Sequence, residues 1–190
     1  MAEVTILVEG YVREEMDELR VGSTVSFIRD GDALVVVDPG LVTSPAAILD
    51  PLRAMGVEPE SVTDVVFSHH HPDHTVHAAL FPNASVHDVM ATYRGDLWID
   101  RPAEGFHVSP DVHLIETPGH TREDITTLAE TADGVVAFTH LWWSDAGPAD
   151  DPYTFDRDVL RAQRERVLAV ASRIVPGHGA PFTPSASTPR

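Results

Sequence analysis

The chain has 190 residues, 43% of them hydrophobic, which suits one domain with a sizeable core and excludes general disorder. Thirteen Lys+Arg against 30 Asp+Glu give a net charge of −17, a surface that repels phosphate backbones and disfavours nucleic acid as a partner. There is no cysteine, so the fold uses no disulfide and any metal site must be built from histidine and carboxylate ligands.

No stretch of about 18 apolar residues occurs, so no membrane span is expected. The start, MAEVTILVEG, carries Glu3 and no basic region; it reads as a strand and not a signal peptide, and a cytoplasmic protein is expected. VTILVEGYV (4–12) is the first expected strand, and the polar REEMDEL after it reads as a loop. STVSFI (23–28) and ALVVVD (33–38) flank a hairpin turn at Asp30-Gly31, and Asp38-Pro39-Gly40 stops the second strand. SPAAILDPLRAM (44–55) reads as a helix with Ser44 as N-cap, Pro45 at the first position and Gly56 past the end. Pro51 either kinks this helix or restarts it with Asp50 as a cap. VTDVVF (62–67) is a buried strand, ASVHD (84–88) a weaker one, and 89–105 looks irregular, with Gly95, Pro102 and Gly105. VHLIE (112–116), ITTLAE (125–130) and VVAFT (135–139) are strands, the last two flanking a turn at Asp133-Gly134. Residues 144–155, rich in Asp, Pro and Gly, form a loop; Asp156 caps a helix over 157–171, and RIV (173–175) is a last short strand. Residues 1–182 are expected to form one domain and 183–190, rich in Pro, Ser and Thr, a flexible tail. Runs of strands with helices between some of them indicate an α+β layered fold.

Many of the 11 histidines fall just beyond an apolar strand. His69, His71 and His74 follow VVF, His120 follows VHLIETPG, His140 follows VVAFT and His178 follows RIVPG. If these strands share packed sheets, their C-terminal loops can meet at one edge, where a rigid scaffold holds ligating side chains. His69 and His71 are two apart and so point to one side at a strand end. His120 could add a third nitrogen, giving a three-histidine shell with an open position. Pro72 then turns the chain, so Asp73 and His74 can face a second cation that His178 could join. Imidazole and carboxylate donors suit Zn, Fe or Mn.

The constellation resembles the metallo-β-lactamase-fold superfamily of metallo-hydrolases. The residues that carry the likeness are "HHHPDH" (His69, His71, Asp73, His74), "TPGHT" (His120), "VPGHG" (His178) and "VVVDPG" (Asp38), in the same order over about residues 20–180. The resemblance implies a four-layer αββα sandwich with metal at one edge of the two sheets. It implies a first ion held by His69, His71 and His120 and a second by Asp73, His74 and His178. "HTREDI", "LWW" and "GDLW" point to the branch of metallo-β-lactamase domain-containing protein 1. There is one clear departure. Where the superfamily places a carboxylate that bridges the two ions, this chain reads "FTHLWW", with His140. An imidazole offers one lone pair and cannot bridge as a carboxylate does. Asp145 could fold back as a substitute, although a surface position suits it better.

The expected function is a metal-dependent hydrolase in which a metal-bound hydroxide attacks an ester, lactone, thioester, β-lactam or phosphoester. The cofactor is one or two zinc ions, with Fe or Mn as alternatives. Asp73 would orient the nucleophile, His140 could bind one ion or shuttle the leaving-group proton, and Asp38 would fix its own turn and the neighbouring ligand loop. His70 is read as pointing away from the metals, His77 as an ordinary surface or half-buried neighbour, and Arg94 and Arg122 as solvated or salt-bridged rather than anion-holding. Trp142 and Trp143 could wall a pocket, whose rim would come from 89–105 and from the loop after His140. The partner is a small-molecule substrate, with a second copy of the chain also admitted. Two other readings stand beside this one: a mononuclear iron dioxygenase of the persulfide dioxygenase type, and a non-catalytic metal-binding module.

Overall fold

The computed structural model describes all 190 residues. Fourteen strands and three helices follow one another along the chain: β1 Glu3–Val8, β2 Tyr11–Glu15, β3 Glu18–Gly22, β4 Val25–Asp30, β5 Ala33–Val37, α1 Ala46–Ala54, β6 Asp64–Val66 and α2 Pro72–Thr75, then β7 Ser85–His87, β8 Ala91–Arg94, β9 Leu97–Asp100, β10 His107–Ser109, β11 Val112–Glu116, β12 Ile125–Thr131, β13 Gly134–Thr139, α3 Arg157–Leu168 and β14 Arg173–Pro176. A seven-stranded sheet has the order β1-β4-β5-β6-β7-β8-β9, a five-stranded sheet runs β10-β11-β12-β13-β14, and β2-β3 stands apart as a hairpin.

Alternation along the strands sorts their side chains into layers. In β5, Val35 and Val37 face the second sheet, where they pack with Leu114, Ile125 and Phe138, while Val36 joins Ile48 and Leu52 of α1 on the outer face. On the other sheet, Leu128, Ala137 and Ile174 face outwards onto Leu160 and Val167 of α3. Helix, sheet, sheet, helix is the four-layer arrangement expected. No helix is long and apolar enough to cross a membrane.

Local chemistry explains the helix ends. Ser44 Oγ accepts the amide of Ala46 at 3.1 Å, and Pro45 already holds helical angles of −51° and −30°. Pro51 neither breaks nor restarts α1, which runs through it to Ala54. Asp156 accepts from the amides of Asp158 and Val159, as an N-cap carboxylate should.

Five expectations need correction. VTILVEGYV is two strands, broken after Val8, and REEMDEL is not a loop but the heart of the β2–β3 hairpin, whose turn puts Met16 at φ 56°. The turn between β4 and β5 is Gly31-Asp32, one residue later, with Gly31 at φ 60°. Residues 89–105 are not irregular: they carry the β8–β9 hairpin at the sheet edge, turning at Gly95 with φ 60°. The last helix ends at Leu168, not 171. Residues 183–190 lie against the body, where Trp142 Nε1 donates to the Pro189 carbonyl at 2.8 Å and Thr188 is buried.

Candidate metal centre

Parallel pairing of β5 with β6 and of β13 with β14 sends their C-termini to one edge, and β11, antiparallel to β12, ends there too. The two sheets are stitched together at this edge. Ile125 N donates to Ser68 O at 2.8 Å, and Thr24 N donates to Gly177 O at 2.7 Å. His69, His71, His74, His120, His140 and His178 converge here with Asp73. Their ligand atoms fall into three overlapping sets, each lying within 4.8 Å: His69, His71, His120; His69, His74, His140; and Asp73, His74, His178.

Outward hydrogen bonds set which nitrogen of each ring faces inwards. His74 Nδ1 donates to Asp38 Oδ2 at 2.9 Å, His120 Nδ1 to Asp151 Oδ2 at 2.7 Å and His178 Nδ1 to Gly22 O at 3.0 Å. His69 Nδ1 lies 3.1 Å from Ser68 Oγ, whose own proton goes to Asp38 Oδ2 at 2.7 Å. Each of these four rings therefore turns Nε2, with its lone pair, towards the centre. His69 Nε2 and His74 Nε2 are buried at the centre without a hydrogen-bond partner, and so is His140 Nδ1 on the side of Gly177. His71 Nδ1 and His120 Nε2 face each other at 3.2 Å. Buried lone pairs without donors cost about 1–3 kcal/mol each, and a cation is the group that would satisfy several at once. The donor set thus fits a divalent metal. It is imidazole-rich, with Asp73 Oδ2 at 3.5 Å from His74 Nε2 and 3.6 Å from His178 Nε2.

Asp38 reaches two histidine-bearing segments at once. Its Oδ1 accepts Ser68 N at 2.7 Å while Oδ2 holds Ser68 and His74, so one carboxylate tethers both histidine-bearing segments. Gly40, two residues on, is required by contact: a Cβ there would lie 1.5 Å from the Asp73 carbonyl oxygen. His77 is not idle, because its Nδ1 lies 2.6 Å from the Gly40 carbonyl oxygen. His70 points away from the centre into Asp88 and Glu123, and those carboxylates lift its pKa to about 9.

His140 lies within the cluster, its ring tilted over those of His120 at 4.1 Å and His74 at 4.7 Å. Gly177 makes room for it, since a Cβ there would sit 2.6 Å from His140 Nδ1. Burial, then the neighbouring His69, His74, His120 and His178, push its pKa well below 6.5.

Two carboxylates of the site escaped sequence reasoning. Asp151, in the loop after β13, is 3% exposed and holds both His120 and, at 3.1 Å, Trp143 Nε1. Asp145, considered as a substitute for a bridging carboxylate, is exposed. Asp124 is also buried; it accepts the Thr121 amide at 2.9 Å, pinning the turn that carries His120. The cavity over the cluster, roughly 270 Å³, is lined by Val12, Leu19 and Val21 of the β2–β3 hairpin, by Trp143 and Tyr153, and by the metal-facing residues. Residues 89–105 do not line it, and Trp142 is wholly buried beneath α3. A larger cleft of 750 Å³ opens at the opposite end, where β14 begins, and holds no histidine.

The cluster makes metal-free stability depend on pH. Burial and neighbouring imidazoles lower His69 and His140 well below 6.5 and His178 to about 4. Below about pH 6.5 the unfolded chain then binds protons that the native cluster refuses, so native stability falls as pH drops from about 6.5 towards 4. His70 and His74, raised by Asp88 and Asp38, work in the opposite sense: their contribution is full below about 6.5 and is lost as pH rises through their folded values. EDTA-treated protein should melt at progressively lower temperature at pH 6.5, 5.5 and 4.5. A flat or rising Tm over that range contradicts the assignment.

Residues 19–178 match the family model described as the metallo-beta-lactamase superfamily. Metallo-beta-lactamase domain-containing protein 1 of Xenopus laevis is 31% identical over 94% of this chain and 80% of its own length. The human protein of that name is 32% identical over 78% of this chain, which spans 59% of the human protein's length. Among solved structures, a Thermotoga maritima protein assigned to the metallo-beta-lactamases superposes with a TM-score of 0.77 at 22% identity, covering 96% of this chain and 99% of that one. A di-iron-bound structure (TM-score 0.64, 20% identity, 85% and 89% coverage) and a dizinc quorum-quenching lactonase (0.59, 17%, 85% and 73%) share the fold.

Proposed function

Because the chain belongs to the metallo-beta-lactamase superfamily, in the branch of metallo-beta-lactamase domain-containing protein 1, we propose that it is a metal-dependent hydrolase of small molecules, with zinc as its ion. One observation carries this reading: six histidines and Asp73 gather their ligand atoms in one space, and two of the buried nitrogens there, His69 Nε2 and His74 Nε2, have no hydrogen-bond partner. His69, His71 and His120 would hold a first ion, and Asp73, His74 and His178 a second. A divalent ion supplies Lewis acidity towards a carbonyl or phosphoryl oxygen and acidifies water towards neutrality. The chain does the rest. Asp73 is the only carboxylate lining the cavity, and we assign it to accept a hydrogen bond from the attacking water and orient it. Asp38 and Asp151 hold His74 and His120 in register. His140 stands as a neutral lone-pair donor beside the centre. The cavity would admit a substrate between the hairpin and the aromatic wall.

The test is elemental analysis of purified protein, followed by rates on ester, lactone and phosphodiester substrates before and after EDTA and after zinc is restored. Metal bound at one or two ions per chain, with turnover that tracks it, supports the reading; turnover indifferent to EDTA overturns it. Asp73, His74 and His178 also form a two-histidine, one-carboxylate set of the kind that suits iron. Iron in place of zinc, with substrate-dependent oxygen uptake, would favour the oxygenase reading. A protein whose Tm rises with metal but which turns nothing over would be a binding module.

Asp151 offers a finer test. Asp151→Asn keeps the shape but weakens the acceptor that orients His120, and should cost about 10–100-fold in affinity for the tighter ion. Competition with a chromogenic chelator measures this, and unchanged affinity would show that Asp151 merely packs the loop.

A further inference from the structure

Resting on the hydrolase reading, we infer that the site selects substrates whose acyl portion is uncharged and apolar, and rejects substrates that carry an anion away from the scissile bond. The β2–β3 hairpin is the first ground. Its register pairs Val12 with Val21, Glu14 with Leu19 and Arg13 with Arg20. Period-2 alternation therefore sends Val12, Val21 and Leu19 to one face and the two arginines to the other. Val12, Leu19 and Val21 line the cavity, so the arginines turn away from it. They are also engaged where they are: Arg20 Nε lies 2.6 Å from Glu15 Oε2, and Arg13 lies 4.6 Å from the centre of the Tyr11 ring.

The second ground is the cation inventory. The chain has no lysine, so its 13 basic residues are all arginine, and none lines the cavity. Arg122, two residues beyond His120, rests 4.2 Å from the centre of the Phe155 ring, and the buried Arg164 donates to the carbonyls of Leu141, Pro148 and Ala149. A carboxylate or phosphate on the remote part of a substrate would find no guanidinium or ammonium there. It would instead meet Asp73, the one carboxylate that lines the cavity.

The third ground is the opposite wall. Trp143 and Tyr153 stack at 6.0 Å and 30°, and Tyr153 reaches to 5.4 Å from the His120 ring. Hairpin and aromatic pair thus form two apolar sides of a cavity of roughly 270 Å³, room for a short acyl chain lying over the metal-facing histidines.

The experiment uses metal-loaded protein and four p-nitrophenyl esters: acetate, butyrate, hexanoate, and a hexanoate bearing a terminal sulfonate, a weak metal ligand. We expect kcat/KM to rise at least about tenfold from acetate to hexanoate and to fall at least about tenfold when the sulfonate is added. Leu19→Arg, a change at a half-exposed position, should restore much of the sulfonate ester's rate. Independently of turnover, hexanamide should quench Trp143 fluorescence at lower concentration than its sulfonated analogue does, with Trp143→Phe as the control that removes the signal. Equal rates on the charged and uncharged hexanoates, or no dependence on chain length, overturns the pocket assignment and leaves the hydrolase reading intact. Selective quenching by hexanamide without turnover of any ester overturns the hydrolase reading and leaves the pocket assignment standing.

Discussion

In the His71→Ala and His120→Ala proteins, bound metal falls below the wild-type stoichiometry and kcat/KM for the best substrate drops by on the order of 10³-fold. The effect should be this large because the two rings complete one ligand set and have no alternative inward partner: His71 Nδ1 and His120 Nε2 face only each other, at 3.2 Å, among the protein's hydrogen bonds. Losing either leaves His69 Nε2 to hold an ion with one remaining neighbour from its set. A purely structural role predicts something different. If these rings served only packing, their loss would lower the Tm of metal-free and metal-loaded protein alike. On the present reading the rise in Tm on adding zinc is lost in both variants, while the metal-free His120→Ala protein also melts lower because buried Asp151 loses its partner. Calorimetry with and without zinc, beside elemental analysis, separates the two. Retained stoichiometry and turnover in both variants would refute a metal site at these residues.

The parts of the centre that were legible in the sequence are those written locally. A β-branched run ending in Phe67-Ser68-His69 tells both where a strand stops and what it presents, and the same signal recurs before His120, His140 and His178. Asp38 was legible because its turn, Asp38-Pro39-Gly40, is strongly punctuated. The hairpin that closes the cavity was not. Its strands alternate Val and Leu with Arg and Glu, a pattern that polar charge makes look like a loop, and its turn uses Met16 at φ 56° where glycine or asparagine would have announced it. Asp151 was hidden for another reason. It reaches His120 across 31 residues of sequence, from a loop full of Asp, and no spacing rule singles it out from Asp145 or Asp150. Side chains that finish a metal site from behind are chosen by tertiary proximity, and a single sequence carries little trace of that.

Restoring a carboxylate in His140→Asp should tighten binding of a second ion by about tenfold or more, while leaving the first close to wild type. Position 140 belongs to the central ligand set, His69, His74 and His140, which shares one histidine with each of the outer sets. It is therefore the place from which one side chain can reach both ions. As histidine, it brings no charge and one inward lone pair, and its other edge is closed by Gly177. Asp73 is then the only negative ligand among seven candidate groups, so two divalent ions would face a strongly under-neutralised shell. Aspartate adds a negative charge and a second acceptor oxygen at the centre. It also removes a ring tilted over His120 at 4.1 Å, which gives the remaining histidines room to close on their ions. Isothermal titration of zinc into EDTA-stripped protein distinguishes the outcomes: a wild-type isotherm with a weak or missing second event, and a variant with two well-formed ones. The same substitution should raise the metal-free pKa of the surrounding imidazoles, because the buried charge favours their protonated forms. The variant stripped of metal should then lose less stability between pH 6.5 and 4.5 than the wild type does. Identical zinc isotherms in the two proteins would show that His140 does not limit the second ion.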